Sequence, residues 1–417
     1  MLEGIWFSIL IVWGYVWWLA TPLILFYIFS DLWMVYVGMK YASKIEWITL
    51  EVRIPREILK TPKSMEQIFS GMHAIQAFIS GSDKIFKGKF QEWVSFEIAG
   101  TGGGVSFYMH TPAQFKNLIE SQIYSQYPDA EIMPVDDYTN LISHTIPNEE
   151  YDIWGVDYIF VKPNPYPIKT YPLFEDIKDE RRVDPLSSVI ETMSQLKSNE
   201  MMWIQLLIKP APKMFKEDAD AIIDKLVGKA PKPKKGSFSA LLDGFLEFMW
   251  NLAKGLVDYP TWQSQAEGAK DADAAKLTPG KKEVLEAVER KASQLCFATG
   301  LRMIYVDRRD SFTRVNVAAL SGGFKIFNTS NMNAFMPDLN TLPNSRGWFW
   351  LFRKQREYMM KRNIVEAYRL RLFPKGSMVM SSEELATIYH YPNLNVAAPF
   401  LKRLETKKGQ PPPNLPI

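Results

Sequence analysis

Cysteine and histidine are scarce: Cys296 is the single thiol in 417 residues, and the four histidines, His73, His110, His144 and His390, stand far apart. One thiol excludes an intrachain disulfide and a thiolate zinc cage, and it suits a reducing compartment. The histidines show no metal-ligand spacing, so neither a metal nor another cofactor is expected. Phosphate-loop chemistry is missing as well. Each Gly-Lys pair (Gly88-Lys89, Gly228-Lys229, Gly280-Lys281) lacks the Ser or Thr that must follow it and the glycine upstream. The AGTGGG run at 99–104 has the composition of a phosphate cradle, but a second β-rich run follows where a helix N-terminus is required. A hairpin turn is the better reading. Ser187, Ser188, Ser381 and Ser382 lack elbow glycines, and Asp136-Asp137 and Glu149-Glu150 sit in polar, turn-like stretches. No catalytic constellation is expected, and hence no enzyme.

Charge is absent from Gly4 to Ser30, a run long enough at 1.5 Å per residue to cross a hydrocarbon core of about 30 Å. Residues 1–43 are therefore expected to be a transmembrane anchor. A cleaved signal peptide fits poorly, since Glu3 stands where a basic region belongs and no small-residue cleavage site follows. Pro22 leaves two arrangements open, a single kinked span or a re-entrant pair made of Ile5 to Ala20 and Leu23 to Met39. Lys40, Lys44 and Arg53 lie after the run and no Lys or Arg before it, which puts the remainder on the cytoplasmic side of a cell inner membrane. The whole chain carries +3, which becomes +5 without the two acids ahead of Lys40, Glu3 and Asp31. So mild an excess demands no polyanionic partner.

What is present reads as α+β. Residues 44–165 run strand (45–54), helix (from Ser64, with Gln67 three residues on), strands 92–99 and 105–110, a helix opened by Thr111-Pro112, and a last strand at 130–135. That β-α-β-β-α-β order is the split βαβ, ferredoxin-like signature. Residues 184–404 are expected to form a second, interrupted unit of the same type: helix 186–196, strand 202–209, helix 215–227, a charged helix after Pro279, strand 296–306 and helix 310–324. No residue-level repeat links the two.

Lysine-, proline- and alanine-rich stretches mark 229–282 as an insertion in the second unit. It encloses an amphipathic segment with Leu241, Leu242, Phe245, Phe248, Met249 and Leu252 on one face. Such a face suits packing on its own domain, docking on a partner, or lying on a membrane, the last disfavoured by the few basic residues opposite. The segment 346–375 mixes aromatics with Arg353, Lys354, Arg356, Lys361, Arg362, Arg369 and Arg371. It reads either as a packed helix with a solvated face or as a contact for nucleic acid, lipid or a partner. Residues 405–417 are a proline-rich tail.

Five stretches carry a family likeness: 54–75 (IPREILKTPKSMEQIFSGMHAI), 96–132, 166–176 (YPIKTYPLFED), 184–210 and 381–417 (SSEELATIYHYPNLN and onward). Together they resemble the membrane-anchored N-terminal region of type IV secretion and conjugative DNA-transfer proteins of candidate-phylum bacteria. In relatives with the complete architecture, a segment like HYPNLN...PPPNLP leads into a HerA/FtsK-type DNA-pumping ATPase domain, which would begin where this sequence ends. The resemblance implies either a stand-alone, non-catalytic scaffold or adaptor that positions a separate ATPase at the cytoplasmic membrane face, or a truncated copy of the longer protein. The implied partners are the bilayer, a separate hexameric ATPase or other secretion subunits, and further copies of the chain. The alternative is a membrane-tethered DNA-binding accessory that uses the basic segment 346–375.

Overall fold

The computed structural model describes residues 2–55, 60–102, 104–174, 184–212, 214–228, 278–343 and 352–392. The insertion segment with Leu241, Leu242, Phe245, Phe248, Met249 and Leu252, the tail, and 346–351 of the basic segment lie outside them.

The first helix, α1 (Leu2–Ala42), spans 41 residues without a break at Pro22. The proline withdraws one amide donor, and the helix continues on either side of it. At 1.5 Å per residue α1 is about 60 Å long. Its Thr21–Ala42 portion is long and apolar enough by length and composition to cross a membrane, a property that signal sequences share.

The remaining elements are β1 (Trp47–Arg53), α2 (Pro62–Met72), α3 (Gly81–Lys87), β2 (Val94–Thr101), β3 (Gly104–Pro112), α4 (Lys116–Gln126), β4 (Glu131–Val135) and β5 (Tyr151–Phe160). They continue as α5 (Ser187–Ser194), β6 (Met201–Pro210), α6 (Met214–Val227), α7 (Pro279–Ser293), β7 (Cys296–Arg308) and α8 (Arg314–Phe324). Then come β8 (Phe335–Pro337), α9 (Arg353–Arg369), β9 (Met378–Ser381) and α10 (Ser382–Ile388). Helix α2 begins at Pro62 rather than at the expected Ser64 cap, because a proline's fixed φ suits a first helical turn. The glycine run is a hairpin, with Thr101 paired to Gly104.

The described strands join in one antiparallel sheet of order β4-β1-β3-β2-β6-β7-β5-β8, and β9 pairs with β7. Two features differ from the expected pair of separate units. Strand β5 falls inside 44–165 but, among the described residues, pairs only with strands from later in the chain, β7 and β8. The two strand groups are also fused, because β2 and β6 pair from Val94↔Ile208 to Thr101↔Met201. Both are buried along nearly their whole length. An edge strand of that kind exposes unpaired amides beside apolar side chains, and pairing with the other edge removes both liabilities.

Alternation along the strands gives the sheet two buried faces. On one, Phe96, Ile98, Ile204, Leu206, Leu301 and Met303 pack under α2, α4, α5, α8 and α10, contributing to one continuous core. On the other, Ala99, Trp203, Ile304 and Val306 meet Tyr138 together with Val365 and Tyr368 of α9. A strand with an apolar row on each face is what a sheet covered on both sides requires.

Candidate functional site at the helix junction

Four residues separate α1 from β1, and the turn between them is hydrogen-bonded at each step: Ser43 N donates to Met39 O (2.9 Å), Lys44 N to Tyr41 O (3.0 Å) and Ile45 N to Ala42 O (3.2 Å). The last turns of α1 present one stripe to the domain, on which Val37 is buried and Met34, Gly38 and Tyr41 are half-buried. Tyr41 donates to the buried Glu92 carboxylate (2.9 Å), which also accepts from Gln114. Its ring meets Phe90 edge-on at 5.2 Å, Phe90 stacks on Trp93, and Trp93 touches Trp47, which lies flat on His110. The end of α1 is thus held by an aromatic pile rooted in β1, in β3 and in the residues that lead into β2. Rigid rings with few torsions transmit orientation well, because little rotamer freedom is lost in ordering them.

Behind this junction a polar row crosses the sheet on the α9 face. The register places Glu51 opposite Tyr108, Tyr108 opposite Glu97, Glu97 opposite Gln205, Gln205 opposite Arg302, and Arg302 opposite Asp157. Arg302 Nε donates to Asp157 Oδ1 at 2.7 Å, and its Nη1 to Gln205 Oε1 and the Ala367 carbonyl. Gln205 donates in turn to Glu97 and to the Tyr368 carbonyl. Glu97 also accepts from Ser95 (2.6 Å), from Tyr138 (2.8 Å) and from Nε and Nη2 of Arg371. Burial raises the Glu97 pKa, and the Arg371 charge and hydrogen bonds more than reverse this, so the carboxylate titrates below its ordinary range. Burial, reinforced by the Arg371 charge, lowers His110 to about 4. Through Gln205 and Arg302, which donate to the Tyr368 and Ala367 carbonyls, the row holds the end of α9 on the sheet.

The seven basic residues marked in the sequence divide here. Arg353, Lys354, Arg356 and Arg362 are exposed along α9. Lys361 is largely buried and pairs with Asp152 (2.8 Å) and Glu357 (3.3 Å). Arg369 donates to the carbonyls of Thr139, Ile142 and Ser143, and Arg371 is buried on Glu97 and Asp137. Lys361, Arg369 and Arg371 therefore serve the fold, whereas Arg353, Lys354, Arg356 and Arg362 lie at the solvent-exposed surface of α9.

A second cluster ties the C-terminal elements together. Glu384, at the third position of α10, accepts from Ser381 N to close a capping box, accepts from Ile168 N at 2.9 Å, and pairs with the buried Lys291 at 2.9 Å. Thr387 accepts from Tyr171 N, Tyr171 OH donates to Glu66, and His390 Nε2 stands 3.0 Å from Asp184. Four of the stretches that carried the family likeness, around Glu66, Tyr171, Asp184 and Glu384, meet at α10. A cavity of about 110 Å³ beside them is lined by Ile168, Thr170, Glu283, Arg290, Lys291 and Glu384.

Sequence reasoning missed α3, β5 and the polar row. A charge inside the apolar strand 92–99, Glu97, was the available signal, since a buried carboxylate needs a cation. Nothing local pointed to Arg371, 274 positions away. A family model described as Domain of unknown function (DUF8128) matches residues 38–402. None of the curated proteins compared with the chain matches it.

Proposed function

We propose that this chain, which belongs to the family Domain of unknown function (DUF8128), is a non-catalytic, membrane-anchored scaffold. It would hold a separate HerA/FtsK-type ATPase of a type IV secretion or DNA-transfer machinery at the cytoplasmic face of the inner membrane. The observation that carries the reading is the junction. A helix apolar enough for a bilayer runs into the sheet through a turn of four residues and is clamped there by Tyr41, Phe90, Trp93 and Trp47. An anchor built to orient a partner needs such stiffness, whereas a mere tether would serve with a flexible linker. The basic residues after the span, Lys40 and Lys44, support a cytoplasmic domain.

In this proposal the sheet is a side-by-side pair of ferredoxin-like units. Its support is the matched order of the two halves, β4-β1-β3-β2 and β8-β5-β7-β6, each antiparallel throughout. The unit boundary then lies between β4 and β5, near residue 140, instead of at 165–184.

Purification of the intact chain from its native membranes in mild detergent tests the scaffold. A ring-forming ATPase of the DNA-pumping class should co-elute in fixed stoichiometry. Recovery of the chain with no ATPase or other secretion subunit overturns the proposal. The second reading, DNA binding, draws on the exposed Arg353, Lys354, Arg356 and Arg362. It requires an affinity for duplex DNA that falls steeply with salt.

A further inference from the structure

Between α2 and β2 the chain leaves the core for residues 76–90 and forms a compact excursion. Its base is closed by Gln91, whose Oε1 accepts from Ala77 N (2.8 Å) and whose Nε2 donates to Ile75 O (3.0 Å). Its tip is α3, started by Ser80, whose hydroxyl accepts from Asp83 N, and ended by Gly88 in the left-handed region (φ 65°). Its last residue, Phe90, stacks on Trp93 at the foot of β2. The α3 tip packs on α1: Trp33 Nε1 donates to Ile85 O at 2.9 Å, and the Gly88 backbone lies so close to Val37 that a β-carbon there would strike the Val37 carbonyl. The tip therefore moves with α1.

The tip's composition is opposite to what a solvent-facing loop needs. Phe78 is 91 % exposed, Phe86 72 % and Ile85 48 %, while Lys84 and Lys87 stand exposed beside them. Its height along α1 is set by the Trp33 bond. Trp33 precedes Lys40, the first basic residue, by seven positions, so the tip lies about 10 Å toward the N-terminal, apolar end of α1. That offset matches the depth of about 5–10 Å to which amphipathic segments bury their apolar side in a bilayer surface. On α1 the exposed Phe29 and Tyr36 are in ring contact with Trp33, the residue that bonds the tip at Ile85.

We infer that residues 76–90 are a second membrane contact, in which Phe78, Ile85 and Phe86 enter the headgroup region beside α1 and Lys84 and Lys87 meet anionic lipid phosphates. The inference rests on α1 being a membrane span. Two contacts fix tilt and rotation where one helix fixes only attachment, so the sheet would stand at a defined angle to the bilayer.

The test uses the full chain in vesicles of phosphatidylcholine with a minority of phosphatidylglycerol, some lipids carrying a nitroxide at a shallow acyl position. An environment-sensitive fluorophore is placed on single cysteines by Phe86→Cys, Leu25→Cys and Val315→Cys. Val315 is exposed at the sheet end away from α1, and the buried native Cys296 is left in place with an unsubstituted control. The label at 86 should be quenched several-fold more than that at 315, and Lys84→Glu with Lys87→Glu should reduce this quenching in the anionic vesicles. Quenching at 25 but not at 86 overturns the second contact and leaves the anchor standing. Absence of quenching at both 25 and 86 removes the anchor and the second contact together.

Discussion

Arg371 reaches Glu97 across 274 positions of chain, with Nε 3.1 Å from Oε1, and does so from a left-handed backbone conformation (φ 48°) one residue beyond the end of α9's cap. A non-glycine residue in that region is strained. The guanidinium is held by Glu97 and Asp137 on a buried face, and this pairing keeps the conformation in place.

Arg371→Met should therefore destabilise the folded domain by about 3–5 kcal/mol, because it leaves Glu97 buried without its cation. Urea unfolding in detergent, followed by tryptophan fluorescence, measures it. A loss of under about 1 kcal/mol would show that Ser95, Tyr138 and Gln205 satisfy the carboxylate without the arginine.

Acid should weaken the fold first through His110. Its pKa drops from an ordinary 6.5 to about 4 on folding, so the unfolded chain binds the proton more readily between those values. Stability is full above about pH 6.5 and declines as pH falls toward 4, by at most about 3 kcal/mol for the fully developed shift. The Glu97 share is present above the ordinary carboxylate range and is lost only at still lower pH, as the depressed folded-state pKa is passed. His110→Gln should flatten Tm against pH between 4 and 6.5, and an unchanged slope would assign the decline to other groups.

Cys296 should be inert in the folded protein. Burial pushes its thiol up to about 12, and its Sγ lies 3.5 Å from the Lys291 carbonyl. A disulfide reagent should react orders of magnitude faster in denaturant than in native buffer. Comparable rates would place β7's first residue in solvent.

Gly88→Ala meets both a left-handed φ and the Val37 carbonyl, and should cost about 1–3 kcal/mol of local stability. Gly81→Ala, with open space around it, is the control. Hydrogen exchange should accelerate across 76–90 in the first variant only, leaving β2, β6 and β7 protected.

Replacing the exposed Arg353, Lys354, Arg356 and Arg362 by glutamine should leave stability within about 0.5 kcal/mol per site. Lys361→Ala should cost more, since it strips Asp152 of a largely buried partner. If the scaffold reading holds, the same four substitutions will not alter the salt dependence of whatever weak DNA affinity the chain has.

Helices α2, α4 and α6 and strands β2, β3 and β7 were legible in the sequence because each carries its own periodicity. The role of α10 was less so: Glu384 looks like an ordinary cap residue in SSEELATIYHY, and its contacts with Ile168 and Lys291 depend on chain brought in from elsewhere. Helix α3 was missed because seven residues between two turns leave too short a pattern to read.

The uncharged run of α1, the α+β alternation and the absence of a phosphate loop are properties of neighbouring residues, and the sequence alone determined them. The fusion of two strand groups into one sheet, the separation of four exposed basic residues from three buried or bonded into the fold, and the clamping of the α3 tip to α1 were decided only by tertiary structure. Each depends on which distant surface a residue finds, and pairing energy between remote edges, charges and rings leaves no local trace in the order of amino acids.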